Sequence, residues 1–209
     1  KIIKRGELHY INSSIVLKKS AKDWVSKGAY KLLKALDYFK IDVSNFKCLD
    51  IGASTGGFTE VLLSKNVKKI YCVDVGTKQL HHKLINNLKI INMHKTNARY
   101  LDKTLIPDTL DIIVCDVSFI SMQKVIEPCL TFLNNKSGII IALIKPQFES
   151  EKKEIRKGGI VRDKNIHKKI CKYYEDWFVS KCKMKVLGVI PSPKNSLKGN
   201  LEFLICAKK

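Results

Sequence analysis

Asp50-Ile51-Gly52-Ala53-Ser54-Thr55-Gly56-Gly57-Phe58-Thr59 is the stretch on which the fold turns. It leaves an apolar run at residues 47–51 and opens a helix-like segment at 59–65. Glycines at a strand-to-helix turn permit positive φ and let a ligand approach the backbone, while the helix N-terminus offers free N–H groups. Outward from this turn, short β-branched runs at 69–75, 89–93, 110–116, 138–145, 185–190 and 201–207 alternate with helix-like segments at 78–87, 121–133 and 165–182. A further amphipathic segment, 29–39, precedes the first strand. The alternation predicts an α/β fold, a Rossmann-like doubly wound sheet of mostly parallel strands with helices on both faces. The link at 191–200, rich in Pro, Ser, Gly and Lys, reads as a hairpin connection and makes the last of the seven strands antiparallel.

That ending separates the S-adenosylmethionine methyltransferase form of the Rossmann sheet from the dehydrogenase form, and the loop agrees. A dinucleotide site would show G-x-G-x-x-G, whereas this chain reads D-x-G-x-S-x-G-G. Asp50 stands where a cationic amino group would be met, and Gly52, Ser54, Thr55, Gly56, Gly57 and Phe58 form the candidate cofactor turn. Asp74, at the end of the second strand and followed by Val75, suits the ribose hydroxyls. Acid, glycine loop and second acid together fit S-adenosylmethionine. Asn97, just after the third strand, flanks the adenine or caps the Ala98-Arg99 turn; both readings stay open.

The end of the fourth strand sets what is methylated. Amino-group methyltransferases carry N/D-P-P-Y there and cytosine C5 enzymes need a Cys nucleophile; this chain has Asp116-Val117-Ser118-Phe119. Pro128-Cys129 falls inside a helical segment and reads as packing, as does Cys115 on its apolar strand. A lone Asp at a strand end suits activation of a hydroxyl, given a nearby base. The fifth strand ends in Lys145-Pro146-Gln147-Phe148-Glu149, on the same sheet edge. A lysine, with a reference pKa of about 10.4, accepts a proton at neutral pH only where burial or a second cation depresses that value. Lys31 is the candidate second cation; Asp116 and Glu202 push the other way while holding both amines in place.

The chain has 209 residues, 45% of them apolar, enough for one domain with a real core. Lys plus Arg number 39 against 19 Asp plus Glu, a net charge of +20 that favours polyanions, whether nucleic-acid phosphate or anionic lipid. Seven cysteines, an odd number set largely in apolar runs, argue against a disulfide framework and for a reducing, cytoplasmic compartment. There is no C-x-x-C pair and no His at ligand spacing from a Cys, so no metal is expected. The longest wholly apolar run, 139–144, falls far short of the ~20 residues a membrane helix needs.

Eight blocks then resemble one family, in order from Trp24 onward: Ser26-Lys27-Gly28-Ala29-Tyr30-Lys31-Leu32, the loop from Leu49 to Thr59, Val73-Asp74-Val75-Gly76, Thr96-Asn97-Ala98-Arg99-Tyr100-Leu101, Cys115-Asp116-Val117-Ser118-Phe119-Ile120-Ser121, Lys145-Pro146-Gln147-Phe148-Glu149, Lys157-Gly158-Gly159-Ile160-Val161-Arg162-Asp163 and Lys198-Gly199-Asn200-Leu201-Glu202-Phe203. They resemble the TlyA family, bacterial rRNA 2′-O-methyltransferases with an FtsJ-like domain that often carry the name haemolysin. The resemblance implies S-adenosylmethionine as cofactor, ribosomal RNA or ribosomal subunits as partner, and a Lys-Asp-Lys-Glu tetrad at Lys31, Asp116, Lys145 and Glu202. The family usually reads S-R-G-G where this chain has Ser26-Lys27-Gly28-Ala29; Lys keeps the charge but loses the bidentate fork of Arg.

Lys27, Arg156, Lys157, Arg162 and Lys198 recur beside these blocks and are the expected RNA contacts, with 149–163 as a candidate RNA-contacting lid. The family's N-terminal S4 RNA-binding module is represented only by a hairpin at 6–17 and the basic linker 18–22, so residues 1–24 are expected to be its remnant and 25–209 the FtsJ-like domain. Two rival readings are a membrane-active haemolysin and a non-catalytic RNA-binding protein on a methyltransferase fold.

Overall fold

A computed structural model describes residues 23–155, 158–193 and 199–209. The hairpin at 6–17, the linker 18–22, Arg156, Lys157 and Lys198 lie outside the described residues.

One seven-stranded sheet runs in the order β3-β2-β1-β4-β5-β7-β6. Its strands are β1 (Lys47–Ile51), β2 (Lys69–Val73), β3 (Ile90–Met93), β4 (Ile112–Cys115), β5 (Ile139–Ile144), β6 (Lys185–Pro191) and β7 (Phe203–Lys208). The first five pair in parallel, and β7 lies antiparallel between β5 and β6, as the 191–200 link predicts. The helices are α1 (Ala29–Tyr38), α2 (Gly57–Ser64), α3 (His82–Ile85), α4 (Met122–Ile126), α5 (Pro146–Glu149) and α6 (Lys164–Ser180).

Period-two alternation splits each central strand between two cores. Leu49, Ile51, Ile113, Cys115, Ile140 and Ile144 pack with α4 and α6. Cys48, Ile70, Ile112, Val114, Ile141 and Leu143 face α1 and α2. Fully burying one such aliphatic side chain contributes about 1.5–3 kcal/mol, so β1, β4 and β5, covered on both faces, form the rigid centre. Asp50 alternates onto the α2 side and lies sealed beneath it.

Two predicted helices come out shorter. The 78–87 segment is helical only at His82–Ile85, because Lys78 adopts φ 49° and cannot enter a right-handed helix. The 121–133 segment is α-helical through Ile126 and then 3-10 from Glu127 to Phe132, because Pro128 has no N–H for the i−4 bond. Among the described residues no helix is long and apolar enough to cross a membrane.

Strand order reverses between β1 and β4, the crevice in which open α/β sheets bind ligands. The loop after β1 carries Gly52, the turn after β2 carries Asp74, Asp116 follows β4 directly and Lys145 follows β5. Register brings in the fourth member of the tetrad: β7 pairs Phe203 with Ile144, so the next residue outward on each strand is Glu202 and Lys145.

Candidate active site

Four charged side chains from four segments interlock at this edge. Lys31 of α1 donates to Glu202 at 2.7 Å and to Asp116 Oδ2 at 3.3 Å. Lys145 forms a 2.6 Å ion pair with Asp116 Oδ1 and donates to Ser118 Oγ at 3.0 Å. The carboxylate of Asp116 thus bridges two ammonium groups, and the order is Glu202, Lys31, Asp116, Lys145, Ser118. The Lys31 and Lys145 side chains are only 7% and 8% exposed, so each charge needs its partners. Burial pulls the Lys31 pKa down, but Asp116 and Glu202 outweigh it and hold the value above normal. Lys31 and Lys145 are thus linked through the one carboxylate they share.

Two hollows meet here. A cleft of about 490 Å³ is lined by Gly52, Ser54, Asp74, Val75, Asn97 and the run Asp116–Ile120, among others. A smaller chamber of about 210 Å³ is lined by Ser26, Gly28, Gly52–Thr55, Gly57, Phe58, Asp116, Ser118 and Lys145. Gly52, Ser54, Asp116 and Ser118 belong to both walls, so a reacting group in one adjoins a reacting group in the other.

The cleft is shaped by backbone constraints. Gly52 has φ +80°, and a Cβ there would stand 2.8 Å from the Asp116 carbonyl oxygen. Gly56 has φ +96° as the N-cap of α2, and its Cβ would collide with Leu84 at 2.4 Å. Asp74 accepts from Ser54 N at 2.8 Å and Gly76 N at 2.7 Å, which fixes its carboxylate on the cleft wall. Asn97 caps the turn, accepting from Arg99 N at 3.1 Å, and also lines the cleft. Asp50 accepts from Thr59 Oγ1 at 2.6 Å, and its buried Oδ1 has no partner. An acidic oxygen left bare under the loop, the fixed Asp74 and the glycine-lined wall fit a cationic nucleoside such as S-adenosylmethionine.

The sequence profile of FtsJ-like methyltransferases matches residues 24–209. This chain belongs to the FtsJ-like methyltransferase family. Hemolysin A of Brachyspira hyodysenteriae is 42% identical over 182 residues, 87% of this chain and 75% of that protein. The 16S/23S rRNA (cytidine-2′-O)-methyltransferase TlyA of Mycobacterium tuberculosis is 42% identical over 151 residues, 72% of this chain and 56% of its own length. The FtsJ-like chain thus spans between about half and three quarters of these relatives. A solved structure of a protein named as a hemolysin from Streptococcus thermophilus superposes with a TM-score of 0.84 at 37% identity, covering 92% of this chain and 69% of that one. An S-adenosylmethionine-dependent methyltransferase structure from Listeria monocytogenes, 14% identical with a TM-score of 0.61 over 87% of this chain and 98% of its own, shares the fold.

The FtsJ-like fold thus gathers Lys31, Asp116, Lys145 and Glu202 into contact and puts Gly52, Ser54, Thr55, Gly57, Phe58, Asp74, Val75 and Asn97 on the two walls. Asp50 and Gly56 line neither hollow; one lies beneath the loop and the other serves its packing. Lys27 and Arg162 are exposed. In the candidate lid, Asn200 accepts from Val161 N at 2.9 Å and donates to Gly159 O at 2.9 Å, tying that segment to the approach of β7. Cys129 is buried in the core, where burial pushes its thiol up to about 12, and burial raises Cys115 further still; neither offers a thiolate.

Sequence reading missed Ser118, Ser26 and Phe119. Ser118 stands two residues after Asp116 in the same block, a proximity that offered a signal. Ser26 reveals itself only through packing, its Oγ accepting from Gly28 N at 3.1 Å beside the chamber. Phe119, 91% exposed at φ 64°, projects at the cleft mouth against Phe148, ring centroids 5.0 Å apart.

Proposed function

We propose that this chain is an S-adenosylmethionine-dependent rRNA 2′-O-methyltransferase acting in the cytoplasm on ribosomal RNA or ribosomal subunits, with residues 1–24 belonging to an RNA-binding module. The observation that carries the reading is the buried Glu202–Lys31–Asp116–Lys145 chain, whose Lys145 end opens into a chamber sharing a wall with the cofactor cleft. The relatives' names for rRNA (cytidine-2′-O)-methyltransferases support the same acceptor.

S-adenosylmethionine, when bound, supplies an electrophilic sulfonium methyl group. Asp74 holds the ribose of that ligand, and the Gly52–Gly57 turn lets it lie against backbone. Lys145 carries the acceptor chemistry. Its amine has three positions for hydrogen-bonding; Asp116 and Ser118 take two, and the third faces the chamber to meet a ribose 2′-hydroxyl. Lys145 enters the step as the neutral amine, its two N–H groups on Asp116 and Ser118 and its lone pair toward the hydroxyl; as the new O–C bond forms and the methyl–sulfur bond breaks to leave a neutral thioether, it takes the hydroxyl proton and later releases it to solvent. Lys31 and Glu202 fix Asp116, so the amine is held before the acceptor arrives. Holding two reactants in line supplies much of the acceleration, and proton transfer adds about 10²–10⁴-fold. Phe119 offers an aromatic face on which an unpaired base can stack.

Tritiated methyl transfer to purified 30S and 50S subunits, followed by mapping of the modified position, tests the reading. Ribose methylation is expected, and Lys145→Ala should lower it by roughly 10²–10⁴-fold with cofactor binding intact. Methyl on a base, no transfer to RNA by the full-length protein, or full activity in Lys145→Ala overturns it.

A further inference from the structure

The turns after β2 and β3 end on the same sheet edge as the tetrad and carry cations that the proposed reaction does not use. Lys78, His82 and Lys83 follow β2; His94, Lys95 and Arg99 follow β3; all are exposed. The two turns are stitched together, with Lys95 N donating to Gly76 O at 3.0 Å and Thr96 N to Asp74 O at 3.0 Å. Lys78 and Lys95, each in the left-handed region at φ 49° and 53°, therefore stand on one ledge.

The ledge abuts both hollows. His81 N donates to Thr55 O at 3.2 Å, and Thr55 lines the acceptor chamber. Gln79, Thr96 and Asn97, interleaved with the cations, line the cleft. His81 Nδ1 accepts from Lys83 N at 3.3 Å. Its ring stacks on His82 with centroids 4.2 Å apart. Among the described residues Lys78, Lys83 and Lys95 form no ion pair. The single carboxylate in segment 76–103, Asp102, is taken up by Thr104 and Leu105 of its own turn. Asp74, at the inner edge of the ledge, spends its carboxylate on Ser54 N and Gly76 N, so the excess of cations on the rim focuses a positive potential on whatever approaches the chamber.

We propose that this ledge docks the phosphate backbone of the substrate RNA on the cofactor side of the reaction centre, an inference that rests on the reading of the chain as an RNA methyltransferase. From β4 to β3 is three strand spacings, roughly 14 Å, so the ledge meets nucleotides flanking the target and not the target itself. Its contacts fix position along the strand without reading sequence. The exposed Lys27 and Arg162 lie outside this ledge, so an RNA strand crossing the chamber has cations on more than one approach.

The test uses the full-length protein with Lys78→Ala, Lys83→Ala and Lys95→Ala combined, beside the matching triple Arg variant. The Ala triple is expected to raise KM for ribosomal subunits roughly tenfold and to flatten the slope of log affinity for rRNA against log salt by about 2, at about 0.7 for each phosphate no longer neutralised. The cofactor dissociation constant and kcat at saturating RNA stay within about twofold, and the Arg triple restores KM and slope. Unchanged KM and slope overturn the proposal, as does weakened cofactor binding with the RNA terms intact. Lost binding to phosphatidylserine vesicles with rRNA binding unaffected overturns it in favour of a lipid surface. Wild-type protein that binds rRNA but methylates none sinks the catalytic reading alone, since the salt slope still reports on the ledge.

Discussion

Asp50 is the residue at which stability and ligand binding pull apart. Burial pushes its carboxyl up to about 7; the Thr59 hydrogen bond opposes this, and the charges of Asp116 and Asp74 add to it. A carboxyl whose folded-state pKa is raised loses stability as pH climbs from its unfolded value near 4 to about 7, because over that range the native state binds more protons than the unfolded one. At 1.36 kcal/mol per pH unit the loss reaches about 4 kcal/mol above pH 7. Asp50→Asn should therefore be more stable than wild type by urea unfolding at pH 8, with the gap closing toward pH 4. Under the proposed role, a cationic amino group drawn toward the bare Oδ1 forces the carboxyl into its charged form. Cofactor binding at pH 7 should then release a proton, seen by calorimetry in buffers of different ionisation enthalpy and absent in Asp50→Asn. At the same scale Lys31→Met removes the cation between Glu202 and Asp116 and leaves two acids facing each other. Methyl transfer should fall by at least tenfold, while Lys31→Arg should recover part of it, measured as kcat on ribosomal subunits.

Elements differ in how far their sequence announces them. The loop after β1 is legible because its glycines answer to backbone geometry. Gly56→Ala combines a left-handed φ with a contact on Leu84, so it should destabilise by about 1–3 kcal/mol in urea unfolding and reduce cofactor affinity through the displaced turn. The strands β4 and β5 were equally legible, since burial on both faces leaves unbroken apolar runs, and β1 was marked by the same run interrupted only by Asp50. The antiparallel β7 could be read from the Pro/Gly link before it. Helix α3 could not: the apolar spacing of 78–87 suits a helix, yet the turn after β2 must bend sharply to bring Leu80 and Leu84 against Gly56. The break at Pro128 was in plain sight and was outweighed by the periodicity around it. In the site, Lys145 and Asp116 were marked by their strand ends. Lys31 and Glu202 could be offered from the sequence only as a candidate second cation and an opposing carboxylate, which the resemblance then joined to Asp116 and Lys145, because their meeting arises from a register and a helix placement that no local pattern encodes. Ser26 belongs to the same class.

The whole molecule is built without covalent staples. All seven cysteines are free thiols, and only Cys171 is not buried. Burial raises its thiol less than those of the core, to about 11. A thiol reagent should modify Cys171 first in the native protein and all seven in denaturant, and reductant should leave the melting temperature unchanged. The tetrad is also a whole-molecule property, assembled from residues as far apart in the chain as Lys31 and Glu202. Because β7 is laid between β5 and the edge strand β6, the sheet stays open at β5 until the last strand has been made. A growing chain already holds the cofactor loop, Asp116 and Lys145 well before it holds Glu202, and for that interval Lys31 lacks its second acidic partner. Order of synthesis then matters to the proposed reaction: a product cut short before β7 lacks Glu202, and under that reading its reaction centre is incomplete.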